Sequence, residues 1–252
     1  MYILGSDYDG TLRKGGISER NREAIAAFRA AGNLFGVVTG RDAHMCDSLE
    51  EEKLPVDFVL AFNGAMLINT AGSHAGEVVF CVNEKNDGQI RWVAEHVGKV
   101  YGSDMGCVLY KKRTVFHGLY PDGTDRFTPI SLADGMTEYT QLNTWCKSEE
   151  ETKRCIAEIK ERWGDTINPL QNGVCIDMPP VGVDKGTGMA RYADLIGVPH
   201  DHVFCAGDNM NDYAMISRFH GCAVENAVPE LKAAAEAVFP DVADIIEHIL
   251  SL

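Results

Sequence analysis

Ile3-Leu4-Gly5-Ser6-Asp7-Tyr8-Asp9-Gly10-Thr11-Leu12 is the stretch that decides how the rest of the chain is read. An apolar lead-in, Tyr2 to Leu4, runs into two acids one residue apart and then a Gly-Thr turn. This spelling predicts a short buried strand with Asp7 and Asp9 at its carboxyl end. Side chains two apart on a strand face the same side, so the two carboxylates are expected to converge. Like charges that close raise each other's pKa unless a cation stands between them. Convergent acids at a strand end therefore suit a hard cation with oxygen ligands, such as Mg²⁺. The plain alternative is a turn rich in Asp and Gly, which any surface loop can supply.

Outward from that stretch, Ser18 can cap a helix running to Ala31 and closed by Gly32. A strand, Leu34 to Val38, ends in Thr39-Gly40-Arg41, and a short helix over Ala43 to Glu51 follows. Another strand, Asp57 to Phe62, ends in Asn63-Gly64. Strands alternating with helices predict a parallel sheet with right-handed crossovers. In such sheets the ligand sits beyond the carboxyl ends of the strands, where Asp7, Thr39 and Asn63 stand.

From about Glu77 the pattern changes. Val78 to Val82 reads as a strand, Ile90 to Val97 as a helix, and Gly106 to Tyr110 with Thr114 to Tyr120 as a hairpin; Pro121 to Met136 has no clear period. Tyr139 to Cys146 reads as a strand, Ser148 with Glu151 as a capping box, and Glu149 to Trp163 as a helix. Two short strands, Thr166 to Leu170 and Val174 to Met178, turn at Gln171-Asn172-Gly173. This mixed order predicts a separate α+β insertion over 77–180, with a core over 1–76 and 181–252. The crossings are expected in the Gly- and Pro-rich segments at 72–76 and 179–182. The alternation then resumes with a helix from Asp184 to Ile196 and a strand, His202 to Ala206, that ends in Gly207-Asp208-Asn209-Met210-Asn211-Asp212. A helix to about Phe219, a strand at Cys222 to Val224, a helix opened by Pro229, a strand at Val238-Phe239 and a closing helix from Val242 complete the reading.

Composition limits the partners. The formal net charge is −14 over 252 residues, which argues against nucleic acid and anionic membrane surfaces, both of which need a basic face. Attraction for an anionic ligand must then come from a few local cations. No run of about 18 apolar residues offers a membrane span, and the opening residues lack the pattern of a signal peptide. The eight cysteines are scattered with no CxxC pair, which fits reduced thiols and a cytoplasmic protein.

Four stations thus stand at strand or helix ends: Asp7-x-Asp9-Gly-Thr11, Thr39-Gly40-Arg41, Asp184-Lys185-Gly186 and Gly207-Asp208-x-x-Asn211-Asp212. Their order and spelling resemble the haloacid dehalogenase-like phosphohydrolases, and most nearly the Cof-type branch. The resemblance covers the whole chain. It implies an α/β fold: a Rossmann-like parallel-sheet core with an inserted α+β (type IIB) cap domain that selects the substrate. It implies a Mg²⁺-dependent phosphatase acting on a small phosphorylated metabolite, a sugar phosphate foremost, through an aspartyl-phosphate. In that family Asp7 would be the nucleophile and Asp9 the general acid and base. Thr39, Gly40, Lys185 and Asn211 would grip the phosphoryl group. Asp7, Asp208 and the Asp9 carbonyl would hold Mg²⁺, with Asp212 acting through water or Lys185. Tyr8 departs from the common spelling, where a smaller aliphatic residue or Phe is usual, and Arg41 reads as structural. The motifs do not separate a hydrolase from a phosphomutase or from a phosphatase dedicated to one sugar-phosphate pathway. A non-catalytic metabolite-binding regulator on the same fold would have no need of the nucleophile.

Overall fold

The computed structural model describes the backbone of residues 1–101, 105–109, 112–115 and 130–252, and the side chains of 1–96 and 133–252. The described residues form two compact units, Met1–Phe80 with Asp184–Leu252, and Cys81–Val183.

The first unit opens with β1 (Ile3–Ser6), α1 (Glu19–Ala30), β2 (Leu34–Val38), α2 (Met45–Glu51), β3 (Phe58–Ala61), β4 (Met66–Asn69) and β5 (Val78–Cys81). In the second unit lie β6 (Glu84–Lys85), α3 (Gln89–Tyr101), β7 (Met105–Leu109), β8 (Lys112–Val115), β9 (Glu138–Tyr139), β10 (Gln141–Trp145), α4 (Glu149–Trp163), β11 (Leu170–Asn172) and β12 (Cys175–Met178). The chain then returns with α5 (Lys185–Ile196), β13 (Val203–Gly207), α6 (Tyr213–Ile216), β14 (His220–Val224), α7 (Pro229–Ala234), β15 (Ala237–Phe239) and α8 (Val242–Leu250).

The large sheet has the order β15-β14-β13-β1-β2-β3-β4-β5. All neighbours from β15 to β3 are parallel, whereas β4 runs antiparallel to β3. The central strands are apolar almost without interruption and fully buried, with Ile3, Leu4, Val37, Val38, Val59 and Leu60 at 4% exposure or less. That is the composition of parallel strands covered on both faces. The chain moves from β1 to β2 on one side and returns to β13 on the other, so the strand order reverses at β1. Such a switch point leaves a crevice at the carboxyl ends, and there Ser6 lies opposite both Ala206 and Val37.

The mostly parallel core expected from the alternation is present, with local differences. β1 stops at Ser6, and Asp7 to Arg13 form a turn in which the Arg13 N–H donates to the Tyr8 carbonyl at 2.8 Å. Asp7 and Asp9 therefore do not share a strand face: Asp7 is buried and Asp9 exposed. β4 was missed because Asn63-Gly64 reads as the end of an element, while the chain turns back there to pair with β3. The 72–76 segment joins β4 to β5 within the large sheet, with Gly76 N–H bonded to the Asn69 carbonyl at 2.6 Å. It is not a crossing between units. The chain passes from one unit to the other at Phe80–Cys81 and at Val183–Asp184.

In the second unit the sheet order is β11-β12-β10-β7-β8, with all neighbouring strands antiparallel. Leu142, Ile176 and Met178 pack with Ile90, Val93, Cys155 and Ile159 of the two helices. The expected strand over 114–120 is described only to Val115, and 116–120 lie outside the described residues. Of the loop expected over 121–136, Ile130–Gly135 form a 3-10 turn and 121–129 are outside the described residues. Strand β11 starts only at Leu170, because Ile167 makes an isolated bridge to Pro180 instead of entering the ladder. Ser148 does cap α4, accepting the Glu151 N–H at 3.2 Å, while the Glu151 carboxylate takes the N–H of Lys147. Past β13, a 3-10 turn at Met210–Asp212 precedes α6, which stops at Ile216.

Candidate active site

Asp7 stands directly after β1 and is fixed by its own main chain, whose N–H donates to the Ala206 carbonyl at 2.9 Å. That bond continues the β1–β13 ladder one step past the strand. It places Asp7 beside Gly207 and Asp208, which follow from β13. Across the crevice α5 begins with Asp184 as its cap. Asp184 accepts the Thr187 N–H at 2.7 Å, and the Thr187 hydroxyl meets the Asp184 N–H at 2.9 Å. This reciprocal cap is legible in the sequence as Asp-x-x-Thr, and it sets the direction in which Lys185 leaves the helix.

Lys185 is fully buried. Its Nζ donates to Asp7 Oδ1 at 2.6 Å and to Asp212 Oδ1 at 2.5 Å. A cation in the first turn of a helix opposes the macrodipole, so these two carboxylates supply what holds it there. Asp212 Oδ2 in turn accepts the main-chain N–H of Asp208 at 2.9 Å and of Asn209 at 3.2 Å. Both oxygens of Asp212 are thus engaged in folding the 207–212 loop and anchoring Lys185. Asp208 accepts the Thr11 hydroxyl at 2.8 Å. Gly10, at φ +88°, has no Cβ to meet Asp208, where one would stand 2.4 Å from Oδ2. The first and fourth motifs therefore touch at a place only glycine permits.

Asp7, Asp208 and Asp212 each offer an oxygen within 4.8 Å of the others. Burial pushes the Asp7 carboxyl up; Lys185 opposes this, Asp212 and Asp208 add to it, and the result is about 8. Asp208 is raised too, by burial and then by Asp212, with the Thr11 hydroxyl working against the shift. Burial alone would lower Lys185, but Asp212 and Asp7 outweigh it and hold the ammonium charged. One lysine among three buried or half-buried carboxylates leaves an excess of negative charge. Such a donor set fits a divalent cation with oxygen ligands. Asp7 and Asp208 have the oxygens to spare for it, whereas Asp212 is spent on Lys185 and the loop.

The other expected site residues fall differently. Thr39 follows β2, the strand beside β1; its N–H bonds the Leu60 carbonyl at 2.8 Å, and its Oγ1 accepts the Arg41 N–H at 3.1 Å. Gly40 lies in the same exit. Asn211 is buried in the 3-10 turn next to Asp212, yet among the described residues no hydrogen bond ties it to Lys185 or Asp7. Asp9 turns away from Lys185, and its carboxylate is taken by Arg41 in two bonds of 2.6 Å each. Arg41, which the sequence reads as structural, thus has Asp9 as its partner, a pairing across 32 residues that the sequence does not signal.

A sequence model of the haloacid dehalogenase-like hydrolases matches residues 4–246. The chain belongs to this family. The phosphohydrolase of Cof type read from four motifs is thereby borne out. Among curated relatives, phosphoglycolate phosphatase 2 of Saccharolobus solfataricus is 36% identical over 265 residues, covering 99% of this chain and 92% of the relative. The 5-amino-6-(5-phospho-D-ribitylamino)uracil phosphatase YcsE of Bacillus subtilis is 22% identical, covering 94% and 88%. The solved structure of the haloacid dehalogenase subclass IIB sugar phosphatase BT4131 aligns over 100% of both chains at 21% identity, with a TM-score of 0.83. This likeness covers both units of the fold. No helix among the described residues is long and apolar enough to cross a membrane.

Proposed function

We propose that this haloacid dehalogenase-like hydrolase is a Mg²⁺-dependent phosphatase that releases phosphate from a small phosphorylated metabolite through an aspartyl-phosphate. The observation that carries the reading is the buried Asp7–Lys185–Asp212 chain, with Asp208 across the switch point from Asp7. The Asp7 carboxyl, held at 2.6 Å from the buried Lys185 ammonium, is oriented by that contact, and once a cation favours its ionised form it could act as the nucleophile. Mg²⁺, held by Asp7, Asp208 and the Asp9 carbonyl, would neutralise charge on the phosphoryl group.

In the first step an Asp7 oxygen bonds to phosphorus, the ester P–O bond breaks, and Asp9 gives its proton to the leaving oxygen. In the second, Asp9 takes a proton from water, the water oxygen joins phosphorus, and the bond to Asp7 breaks. Lys185, the Thr39 hydroxyl and the Gly40 N–H would hold phosphoryl oxygens. Asn211 belongs with this group by its motif position. Asp212 keeps Lys185 in place. The cap role of the inserted segment, selection of the organic part of the substrate, is part of the same proposal.

Within the substrate class, a sugar phosphate follows from the motif resemblance, while the 36% identical relative carries the name phosphoglycolate phosphatase 2. Both are small phosphate monoesters, and a panel containing both decides the order. Wild-type protein should release phosphate from p-nitrophenyl phosphate with Mg²⁺ and not with EDTA, and Asp7→Asn should be inert while folded. Turnover by Asp7→Asn at the wild-type rate would overturn the assignment.

A further inference from the structure

Tyr8 and Arg41 lie in the loops after β1 and β2, and the mechanism above gives neither a task. Arg41 donates from Nε to Asp9 Oδ2 and from Nη2 to Asp9 Oδ1, both at 2.6 Å. This is the side-by-side fork that a guanidinium makes with a carboxylate, and it fixes direction as well as distance. The Arg41 main chain is itself tied down: its N–H reaches Thr39 Oγ1 at 3.1 Å, and its carbonyl accepts the Phe62 N–H at 2.9 Å. The guanidinium lies over the Tyr8 ring, 5.1 Å from the centroid.

Tyr8 is buried, and its hydroxyl donates to Glu52 Oε1 at 2.8 Å. The same oxygen accepts Arg13 Nε at 3.1 Å, and the Glu52 carbonyl accepts Arg22 Nη1 at 2.7 Å. A continuous set of contacts thus runs from the end of α2 through Tyr8 to Arg41 and on to Asp9. Asp9 needs such support. Its side chain is 50% exposed and sits on a turn, where Arg41 makes both of its carboxylate contacts. A smaller aliphatic residue at position 8 would give Arg41 no ring to rest on and would leave Glu52 without this donor.

We propose that Arg41, seated on Tyr8, is a positioning residue for Asp9. It fixes the carboxyl group that hands its proton to the leaving oxygen and later takes one from water. During transfer the fork opens to a single contact, so one Asp9 oxygen carries the proton while the other stays on Arg41. The inference rests on Asp9 having the proton-transfer role proposed above, and the test separates the two.

The measurement is the rate of alcohol release in the first turnover, for p-nitrophenyl phosphate and for an alkyl phosphate. The aryl leaving group departs without a proton, and the alkyl one does not. Arg41→Gln should slow the alkyl ester about tenfold or more and the aryl ester less than about threefold, within the range that general acid catalysis spans. Asp9→Asn should show the same split or a larger one, and Arg41→Gln combined with Asp9→Asn should be no slower on the alkyl ester than Asp9→Asn alone. Tyr8→Leu should reproduce the split, and Tyr8→Phe, which keeps the ring, should show less of it. Arg41→Lys keeps the charge without the fork and should also show the split; full alkyl activity in that variant overturns the inference. If Asp9→Asn slows both esters equally, the proton-transfer reading fails and this inference with it. If Asp9→Asn shows the split but Arg41→Gln slows both esters alike, or changes only KM, the positioning role alone is overturned.

Discussion

Gly188 and Gly64 meet backbone to backbone: a Cβ on Gly188 would stand 2.6 Å from the Gly64 Cα, and one on Gly64 would stand 2.6 Å from the Asp184 carbonyl oxygen. The helix that carries Lys185 is therefore pressed directly onto the turn that follows β3. That turn is unusual in its own right, with Phe62, Asn63 and Gly64 all at positive φ, of 54°, 53° and 94°. Consecutive non-glycine residues in that region store strain that surrounding structure must hold. Here the Asn63 N–H donates to the Thr39 carbonyl at 2.8 Å, so one turn connects the Thr39 loop to the Lys185 helix.

Gly188→Ala tests that contact. Alanine gains up to about 1 kcal/mol in helix propensity, whereas overpacking against a rigid backbone costs about 1–3 kcal/mol. The cost wins because the obstructing atom is a Cα with nowhere to rotate. A net loss of roughly 1–2 kcal/mol in urea unfolding, with a lower kcat from the displaced Lys185, is the expected outcome. A variant as stable as wild type would show that the helix slides freely on the turn.

The Lys185–Asp212 pair gives a larger effect. Lys185→Met would leave Asp7 and Asp212 buried with no cation between them. Breaking one side of a buried pair costs about 3–5 kcal/mol, because the remaining charges lose their partner but stay desolvated. Denaturation in EDTA should show a loss of that order, and Mg²⁺ should restore part of it in Lys185→Met. A loss under about 1 kcal/mol would mean that the pair behaves like a surface contact. Activity should be absent in either buffer.

The parallel core was legible because its strands are continuous apolar runs bounded by turn residues, and Leu34–Val38 and Glu149–Trp163 appear at the bounds expected of them. The motifs were legible as an ordered set: Asp7, Lys185, Asp208 and Asp212 come together although their strands and helices are far apart in sequence. What could not be read was side-chain direction. Period-two reasoning put Asp9 beside Asp7, but the strand ends at Ser6, before either acid, and the turn sends Asp9 to Arg41. Met66–Asn69 went unread because Asn63-Gly64 looks like a stop, whereas positive φ at those positions makes it a reversal into an antiparallel strand. The Tyr8 hydroxyl, which burial and the Glu52 bond push up to about 12, explains an odd residue in the first motif only once Glu52 is seen beneath it.

Thr11 supports Asp208 through a hydroxyl bond of 2.8 Å, and that contact has its own prediction. Partners that orient a metal-binding carboxylate typically carry about 10–100-fold in metal affinity. Thr11→Val, close in shape but without the hydroxyl, should raise the Mg²⁺ concentration needed for half-maximal activity by about tenfold or more. Thr11→Ser should stay near wild type. Titration calorimetry with Mg²⁺ provides a readout independent of turnover, and equal affinities in the two variants would remove Thr11 from the site.

The final prediction concerns pH and the Asp7 carboxyl. Burial raises it from 3.8 to about 8 in the folded protein without a bound cation, against the pull of Lys185. Between those values the native state binds more protons than the unfolded state, so stability falls as pH rises. The contribution is fully present below pH 3.8 and is lost as pH climbs to about 8. Asn at this position has no proton to lose. In EDTA, the Tm of wild type relative to Asp7→Asn should therefore decline from about pH 5.5 to about pH 8, leaving the variant the more stable protein at the upper end. Mg²⁺ favours the ionised carboxylate and should flatten or reverse that decline in wild type only. Parallel Tm profiles for the two proteins in EDTA would mean that Lys185 keeps Asp7 ionised throughout, and that the site carries its charge without a cation.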